Sequence, residues 1–260
     1  MKKLLKIVLG IVVVFVLAIV VVFYFTAGMA GAADEFFASI KRQDIAAARS
    51  YLSEDFKAST DEAALKDFLT RGALLNFKET SWSSRQISGG RGELEGEVIT
   101  ESGGVVPMKL LFVKENGAWK IYGIQKLTAG LQTEQSSPNI PAKADQVVLV
   151  KQAMHDFAVS VNDKSMEHFH RTVAQLWQRQ FTLQKFDEAF GPFFDLGVDL
   201  TVLDGFEPSI EPVAGLDENG VLILQGYFPT QPSKVAFTQK FIYEGVGWKL
   251  VGFKINIDQA

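Results

Sequence analysis

The chain contains three histidines, His155, His168 and His170, which are its strongest candidates for metal binding or proton transfer. On a helix, positions 168 and 170 point about 200° apart, so the two rings cannot bind one ion from the same face. His155 would have to come from another helix, and no carboxylate completes a metal-ligand spacing. We therefore expect surface or half-buried histidines, no metal site and no cofactor.

Asp156, His168 and Tyr122 are of residue types that can exchange protons with a substrate. The sequence does not show where these side chains point, and none of them lies in a recognisable catalytic motif. The run Gly-Gly-Arg-Gly at 89–92 is too short for a phosphate-binding loop and lacks the Gly-Lys-Ser/Thr ending. The chain has no Cys, which excludes disulfides, thiolate catalysis and cysteine-bound metals. We predict a non-enzymatic protein without catalytic residues.

A short motif occurs once in each half of the chain. Residues 112–125 read FVKENGAWKIYGIQ, and residues 241–254 read FIYEGVGWKLVGFK. Aligned without gaps, with an offset of 129, they share Phe112/Phe241, Glu115/Glu244, Trp119/Trp248, Lys120/Lys249 and Gly123/Gly252. A weaker upstream match with an offset of 121 aligns Phe36/Phe157, Ser39/Ser160, Ile40/Val161 and Leu69/Phe190. These matches predict a tandem duplication of one fold.

The recurring charged residues flank a predicted hairpin, because Asn116-Gly117 is a strong signal for a two-residue turn. A cross-strand ion pair is the simplest expectation for Glu115 with Lys120, and for Glu244 with Lys249.

Three aromatic residues, Trp119, Tyr122 and Trp248, are candidates for the core or for a ligand cavity. For the two tryptophans we expect a role in the core of each domain, and stacking against a ligand is the alternative. The tryptophans at 82 and 177 have no counterpart in the other half.

The N-terminal segment 1–32 has the composition of a membrane anchor. Its only charges are Lys2, Lys3 and Lys6, and the 21 residues from Ile7 to Ala27 carry none. A helix of that length spans about 31 Å, which matches a hydrocarbon core of roughly 30 Å. Because lysines favour the cytoplasmic side, we predict a single-pass protein of the cytoplasmic membrane with its N-terminus inside. The domains that follow are then periplasmic or extracellular.

A cleaved signal peptide is the competing interpretation of this segment. Ala30-Gly31-Ala32 has the small residues that signal peptidase accepts. An apolar signal region usually spans about 7–15 residues, and this run is longer, so a retained anchor is favoured.

The net charge of −4 argues against a nucleic-acid-binding protein. Residues 33–127 hold 13 basic and 14 acidic residues, whereas residues 145–260 hold 9 basic and 15 acidic residues. We expect the acidic second half to be repelled by anionic lipids and nucleic acids.

Residues 128–144 are rich in Pro, Ser and Gln and are predicted to be a linker. They separate a first domain, 33–127, from a second domain, 145–260. In each half, helix signals precede runs with strand character, about four strands within 75–126 and four or five within 198–257. Strands joined by short turns form an antiparallel sheet, and helices grouped before it pack on one face. The predicted class is therefore α+β.

Several local signals place the helices in more detail. Ser59 and Glu62 form a predicted capping box ahead of an apolar stripe. Further helices are predicted over 45–52, from near Asp145, over 166–177 and over 183–190.

Three helices, a curved antiparallel sheet and a closing hairpin with Gly, Trp, Lys and an aliphatic residue resemble the nuclear-transport-factor-2-like superfamily of cystatin-like α+β cones. The hairpin reads GAWKI at 117–121 and GVGWKL at 245–250, so the two copies differ in the spacing from Gly to Trp. The resemblance implies two tandem cone domains, a bacterial-type envelope protein, and a sheet face able to form a homodimer. The superfamily includes enzymes, ligand carriers and interaction modules, so fold alone does not define the function.

The predicted function is a membrane-anchored extracytoplasmic protein whose two domains bind a small apolar ligand or another envelope protein. The alternative is an isomerase or dehydratase acting on a small hydrophobic substrate in one cone. A polar pair inside a roomy cavity would favour the enzyme, whereas an interior filled by Phe and Leu would favour an interaction module.

Overall fold

The computed structural model describes residues 27–127, 140–195, 197, 199–213 and 215–257. Chain contacts divide the protein into two compact units, residues 1–129 (unit 1) and 130–260 (unit 2). Each unit combines short helices with a four-stranded antiparallel sheet, which confirms the α+β prediction.

The predicted anchor falls mostly on residues 1–26, and most of the predicted linker falls on residues 128–139. Both segments lie outside the described residues. Within the part that the structure describes, no helix is long and apolar enough to cross a membrane.

In its described part, from residue 27 onward, unit 1 has four helices before its sheet: α1 (27–41), α2 (Ile45–Arg49), α3 (Glu54–Ser59) and α4 (Glu62–Arg71), followed by a 3₁₀ turn, Leu74–Asn76. A side-chain oxygen caps the start of each short helix: Asp44 accepts the N–H of Ala47, and Ser53 accepts that of Phe56. At α4 the cap is Asp61, which accepts from Ala64 at 2.8 Å. The predicted capping box is therefore wrong, because Ser59 is the last residue of α3.

The sheet of unit 1 has the order β1-β2-β3-β4, with β1 (Phe77–Ser88), β2 (Arg91–Thr100), β3 (Val105–Glu115) and β4 (Ala118–Lys126). The four strands lie inside the predicted range. The predicted turn Asn116-Gly117 joins β3 to β4, and both residues have positive φ, as a type I′ hairpin turn requires. Phe36, Phe37 and Ile40 of α1 are fully buried, as are Leu94 and Leu110 of the sheet.

Unit 2 contains α5 (Lys143–Asn162), α6 (Glu167–Thr172), α7 (Gln175–Gln180) and α8 (Leu183–Phe190), with 3₁₀ turns at Gly191–Phe193 and Leu200–Gly205. The predicted helix over 183–190 is confirmed. The predicted helix over 166–177 is two helices, because Val173 is extended and the N–H of Ala174 donates to the carbonyl of Leu250 at 2.8 Å.

The second sheet has the order β5-β6-β7-β8, with β5 (Ser209–Ile210), β6 (Leu222–Phe228), β7 (Val235–Glu244) and β8 (Gly247–Ile257). Its closing hairpin also has a two-residue loop, Gly245-Val246. Only Gly245 has positive φ, which is the pattern of a type II′ turn.

The two closing hairpins have the same register. Phe112 pairs with Ile121, and Phe241 pairs with Leu250. In each hairpin a bulge follows at the same point, so that Leu111 pairs with Gly123 and Lys240 pairs with Gly252. The five recurring residues thus occupy equivalent positions in the two sheets, as a duplication would place them.

Candidate functional site

The recurring glutamates cap helices. Both carboxylate oxygens of Glu115 accept the backbone N–H of Glu54, the first residue of α3, at 3.2 and 3.3 Å. In unit 2, Glu244 accepts the N–H of Gln175, the first residue of α7, at 3.2 and 3.1 Å. A carboxylate at a helix N-terminus satisfies a free N–H and complements the helix dipole.

The predicted cross-strand ion pair is wrong for the first hairpin, within the described residues. Glu115 is turned toward α3, and the ammonium group of Lys120 donates to the carbonyl of Ser50 at 2.6 Å. In the first hairpin both side chains therefore connect the hairpin to the helical segment before it.

Trp119 lies at the end of the unit 1 sheet, against the start of α1. A Cβ added at Gly28 would lie 3.0 Å from Cδ1 of Trp119, and one added at Gly92 would lie 3.3 Å from its Cζ3 and would overlap Sδ of Met29. The ammonium group of Lys114 lies 5.0 Å above the indole. Trp119 is half-buried and packs between the N-terminal helix and the hairpin.

Trp248 occupies the equivalent place in unit 2. Its ring makes an edge-to-face contact with Tyr243 at 5.4 Å, and it packs against the buried core cluster of the unit. Burial raises the pKa of Tyr243 well above its usual range.

Tyr122 belongs to a group of polar residues on the sheet of unit 1. Its ring lies 5.5 Å from the guanidinium of Arg91. Burial raises the pKa of Tyr122, and the positive charge of Arg91 opposes part of that rise.

Lys109 lies at the centre of the same group and is 8% exposed. Its ammonium group is 2.5 Å from Glu93 and 3.1 Å from Glu95 of the neighbouring strand. Burial by itself lowers the pKa of Lys109, but hydrogen bonds and charges from Glu93 and Glu95 outweigh it, so the pKa is raised. These residues alternate with the buried Leu94 and Leu110, so they lie on the face of the sheet away from the core.

Aromatic rings form a cluster in unit 2, in which Phe157 and Phe169 are fully buried and Phe190, Phe193 and Phe253 are partly buried. Phe157 of α5 has four ring neighbours with centroids 4.8–5.5 Å away: Phe169, Phe190, Phe193 and Phe253. Trp177 packs on the edge of this group, 4.9 Å from Phe186. The rings come from helices on one side and from β8 on the other.

Gln239 differs from the other buried polar residues that the structure describes in unit 2, because one of its polar atoms lacks a partner. Gln239 of β7 is fully buried, and its amide group donates to the carbonyl of Val150 at 3.4 Å. Its oxygen Oε1 has no hydrogen-bond partner. The equivalent residue of unit 1 is Leu110, because both residues lie two positions before the bulged pair of the closing hairpin. Side chains along a strand alternate between the two faces of the sheet, but this alternation does not show which face carries a polar residue. The sequence therefore could not indicate that Gln239 is buried.

Asp156 and His168, named above as candidates for proton transfer, do lie together. Nε2 of His168 is 3.0 Å from Oδ1 of Asp156, and the amide of Gln152 donates to the same oxygen at 2.9 Å. Asp156 is buried and His168 is exposed. The pair joins α6 to α5.

The other two histidines also join separate segments. Nδ1 of His155 is 2.8 Å from Oδ2 of Asp204, and Nε2 of His170 is 2.9 Å from the carbonyl of Phe181. Each ring has its own partner. Across the described residues, no group of three His, Asp or Glu side chains could hold a metal ion.

Three large apolar side chains on α5 and the segment packed against it are exposed. We refer to Val148, Val202 and Phe206 together as the α5 surface. The 3₁₀ turn Leu200–Gly205 packs against α5, and Lys151 of α5 pairs with Glu207 at 3.4 Å. Hydropathy could not indicate this surface, because it depends on two segments about 50 residues apart.

No family model matches the chain, and no curated protein matches it. A solved structure titled Rd1NTF2_05, a variant with five substitutions, is 19% identical over 36% of this chain and 91% of its own, with a TM-score of 0.28. A cystatin-like protein from Ruminococcus gnavus is 10% identical over 88% of this chain and 92% of its own, with a TM-score of 0.24. These titles name the same fold family as the resemblance. At such low similarity they carry no argument, so the α+β class rests on the geometry of the chain itself.

Proposed function

We propose that the chain is a membrane-anchored extracytoplasmic protein that acts without catalysis, by binding another envelope protein. The observation that carries the proposal is the ring cluster of unit 2, where four rings, three of them partly buried, lie within 5.5 Å of Phe157. Rings at this spacing are in van der Waals and edge-to-face contact. Close packing around Phe157 supports an interaction module rather than a carrier of small apolar ligands.

The α5 surface supports the same proposal. Val148 is 64% exposed and Val202 is 56% exposed, and α5 also carries Lys151, which pairs with Glu207. Large apolar side chains exposed to solvent mark candidate protein-binding surfaces. The predicted apolar segment from Ile7 to Ala27 supports the membrane location, and the lysines before it support an N-terminus inside.

Cross-linking of the full chain in its own membranes tests the proposal. We expect an adduct of one defined mass, and we expect Val202→Ser combined with Phe206→Ser to remove it. Val105→Ser is the matched control, because Val105 is a similarly exposed valine of unit 1. An adduct that survives the double substitution would place the binding surface elsewhere, and an adduct of twice the chain mass would indicate a homodimer.

Native mass spectrometry of the full chain in detergent tests the ligand-carrier function. We expect the mass of the polypeptide alone under native and denaturing conditions. A reproducible extra mass that is released on denaturation would contradict the interaction module and favour a carrier.

The Asp156–His168 pair favours a second candidate, an enzyme of the isomerase or dehydratase type. A histidine oriented by a carboxylate can act as a general base. The same hydrogen bond joins α5 to α6, so His168 could instead have a purely structural role. The structural and the catalytic role predict different results for His168→Gln. If the role is structural, the melting temperature of unit 2 should fall. If His168 is a general base, the melting temperature should be unchanged and the activity should be lost.

A further inference from the structure

The start of α1 and two hairpin tips lie at one end of unit 1. The β1–β2 turn and the β3–β4 turn are at the same end of the sheet, since Arg91 pairs with Val113 just before the second turn. Gly28 and Met29 at the start of α1 reach Trp119 and Gly92 at this end. We call it the hairpin end and define it by Gly28, Ile87, Arg91, Lys114 and Trp119.

The side chains of the hairpin end combine apolar and cationic character. Ile87 is 42% exposed and pairs directly with Gly92, and the indole of Trp119 is half-buried beside it. The guanidinium of Arg91 and the ammonium of Lys114 are exposed. The nearby acidic groups have partners within the unit: Glu115 caps α3, and Glu93 pairs with Lys109. Tryptophan is enriched at membrane–water interfaces, and lysine and arginine near a membrane surface are attracted by anionic lipids.

The hairpin end is also the end nearest the predicted membrane segment. The predicted membrane span covers Ile7 to Ala27, and helix α1 is described from Ala27 onward. Because a helix rises about 1.5 Å per residue, Gly28 and Met29 lie about 1.5 and 3 Å beyond the end of the predicted span. A lipid headgroup layer is about 5–8 Å thick on each side of the hydrocarbon core, so these residues and their contacts fall within it.

Met29 holds the first described turn of α1 against the hairpin end, because its side chain is fully buried. A Cβ at Gly92 would overlap its sulfur, so α1 and the hairpin fit together without free space. Met29, a residue of the unit 1 core, thus lies two positions after the end of the predicted membrane span.

We infer that the hairpin end of unit 1 rests on anionic lipid headgroups, with Arg91 and Lys114 facing the phosphates and Trp119 at the interface. This inference rests on the membrane anchor of the proposed function. The equivalent positions of unit 2 differ, because Tyr243 replaces Lys114 and Val221 replaces Arg91. Headgroup binding is therefore a property of unit 1 alone.

Single cysteines test the inference, since the native chain has none and each label is unique. Ala118→Cys puts a fluorophore at the hairpin end, and Ser102→Cys puts one at the opposite end, on the β2–β3 turn. The full chain is reconstituted in vesicles of phosphatidylcholine with phosphatidylglycerol that carry a headgroup nitroxide quencher. We expect strong quenching at position 118 and weak quenching at position 102.

The charge contribution is tested by Arg91→Gln combined with Lys114→Gln. We expect the docking equilibrium to weaken about fivefold for each cation removed, seen as lower quenching at position 118. The loss should occur with phosphatidylglycerol and should be absent in phosphatidylcholine alone. Equal quenching at 118 in both lipids would overturn the recognition of anionic headgroups.

Two further outcomes separate this inference from the anchor itself. If the chain stays with the vesicles after an alkaline carbonate wash but position 118 is quenched no more than 102, the placement of the hairpin end is overturned. If the wash releases the chain, the membrane anchor is overturned, and the inference fails with it.

Discussion

The carboxylate of Glu115 accepts the N–H of Glu54, so the last hairpin of unit 1 caps a helix that begins 61 residues earlier. Glu244 does the same for Gln175 in unit 2. These contacts explain why a glutamate recurs at this position.

Glu115→Ala and Glu244→Ala should each lower the stability of their unit. Losing a side-chain cap costs about 1 kcal/mol, and more where the carboxylate is desolvated. Glu244 is 4% exposed and Glu115 is half-buried, so the loss should be larger in unit 2. Calorimetry of each variant measures this, with the exposed Glu97→Ala as the control. Equal melting of Glu115→Ala and Glu97→Ala would show that the cap contributes nothing.

Lys109→Met should destabilise unit 1 by about 1–3 kcal/mol, because Glu93 and Glu95 would be left without their shared cation. Lys126→Met is the matched control, since Lys126 is exposed on the neighbouring strand. Urea unfolding measures both variants. Similar midpoints for the two would contradict the prediction.

The stability that Lys109 contributes should also depend on pH. Its pKa is raised in the folded state, so the contribution is complete below the usual value of 10.5 and is lost as the pH rises through the folded pKa. The difference between the wild-type chain and Lys109→Met should therefore shrink in strongly alkaline solution. The raised pKa of Tyr122 has the same sign, so Tyr122→Phe should also lessen the alkaline loss of stability. A difference that grows with pH would contradict this assignment.

Gln239→Leu should raise the melting temperature of unit 2. The unpartnered Oε1 in an apolar interior costs about 1–3 kcal/mol, and the long hydrogen bond to Val150 offsets little of it. The reciprocal variant, Leu110→Gln, should lower the stability of unit 1, because it places an amide in an apolar core. Calorimetry of the two variants makes the comparison. Destabilisation by Gln239→Leu would show that the amide has a partner within the folded unit.

Gly92→Ala should destabilise unit 1 by about 1–3 kcal/mol, because the added methyl group overlaps the sulfur of Met29 and forces α1 away from the sheet. Gly31→Ala is the control on the same helix. A Cβ there meets nothing within 4 Å, so this change should stabilise α1 by about 0.5–1 kcal/mol. Circular dichroism melts of both variants test the pair. Equal effects would show that α1 does not pack closely on Gly92.

The sequence predicted those helices and turns that are determined by neighbouring residues in the chain. The spacing of apolar residues located the helix Leu183–Phe190, and Asn116-Gly117 located its hairpin. The break between α6 and α7 was missed, because the N–H of Ala174 bonds to Leu250 from the other end of the unit. The capping box failed because Ser59 ends one helix and Asp61 begins the next.

For the candidate site residues too, the sequence indicated the residue types but not the contacts made between distant segments. The residue types of Asp156 and His168 were recognised, but their 3.0 Å contact depends on how α6 returns to α5. Gln239 was missed, because strand alternation gives the period of the side chains and not the face on which a polar residue lies. The role of Glu115 was missed because its partner is 61 residues away, and an ion pair with its neighbour Lys120 was the simpler local expectation.

The hairpin contacts also set an order of events during synthesis. Tyr51 and Ser53 form backbone hydrogen bonds with Ile121, and Glu115 completes the start of α3, so these helices wait for the final strand of their unit to leave the ribosome. These contacts all lie within unit 1, so its closing hairpin can reach the helices while unit 2 is still being translated. A nascent chain stalled before Trp119 would present the helices of unit 1 without their closing hairpin, to chaperones and proteases alike.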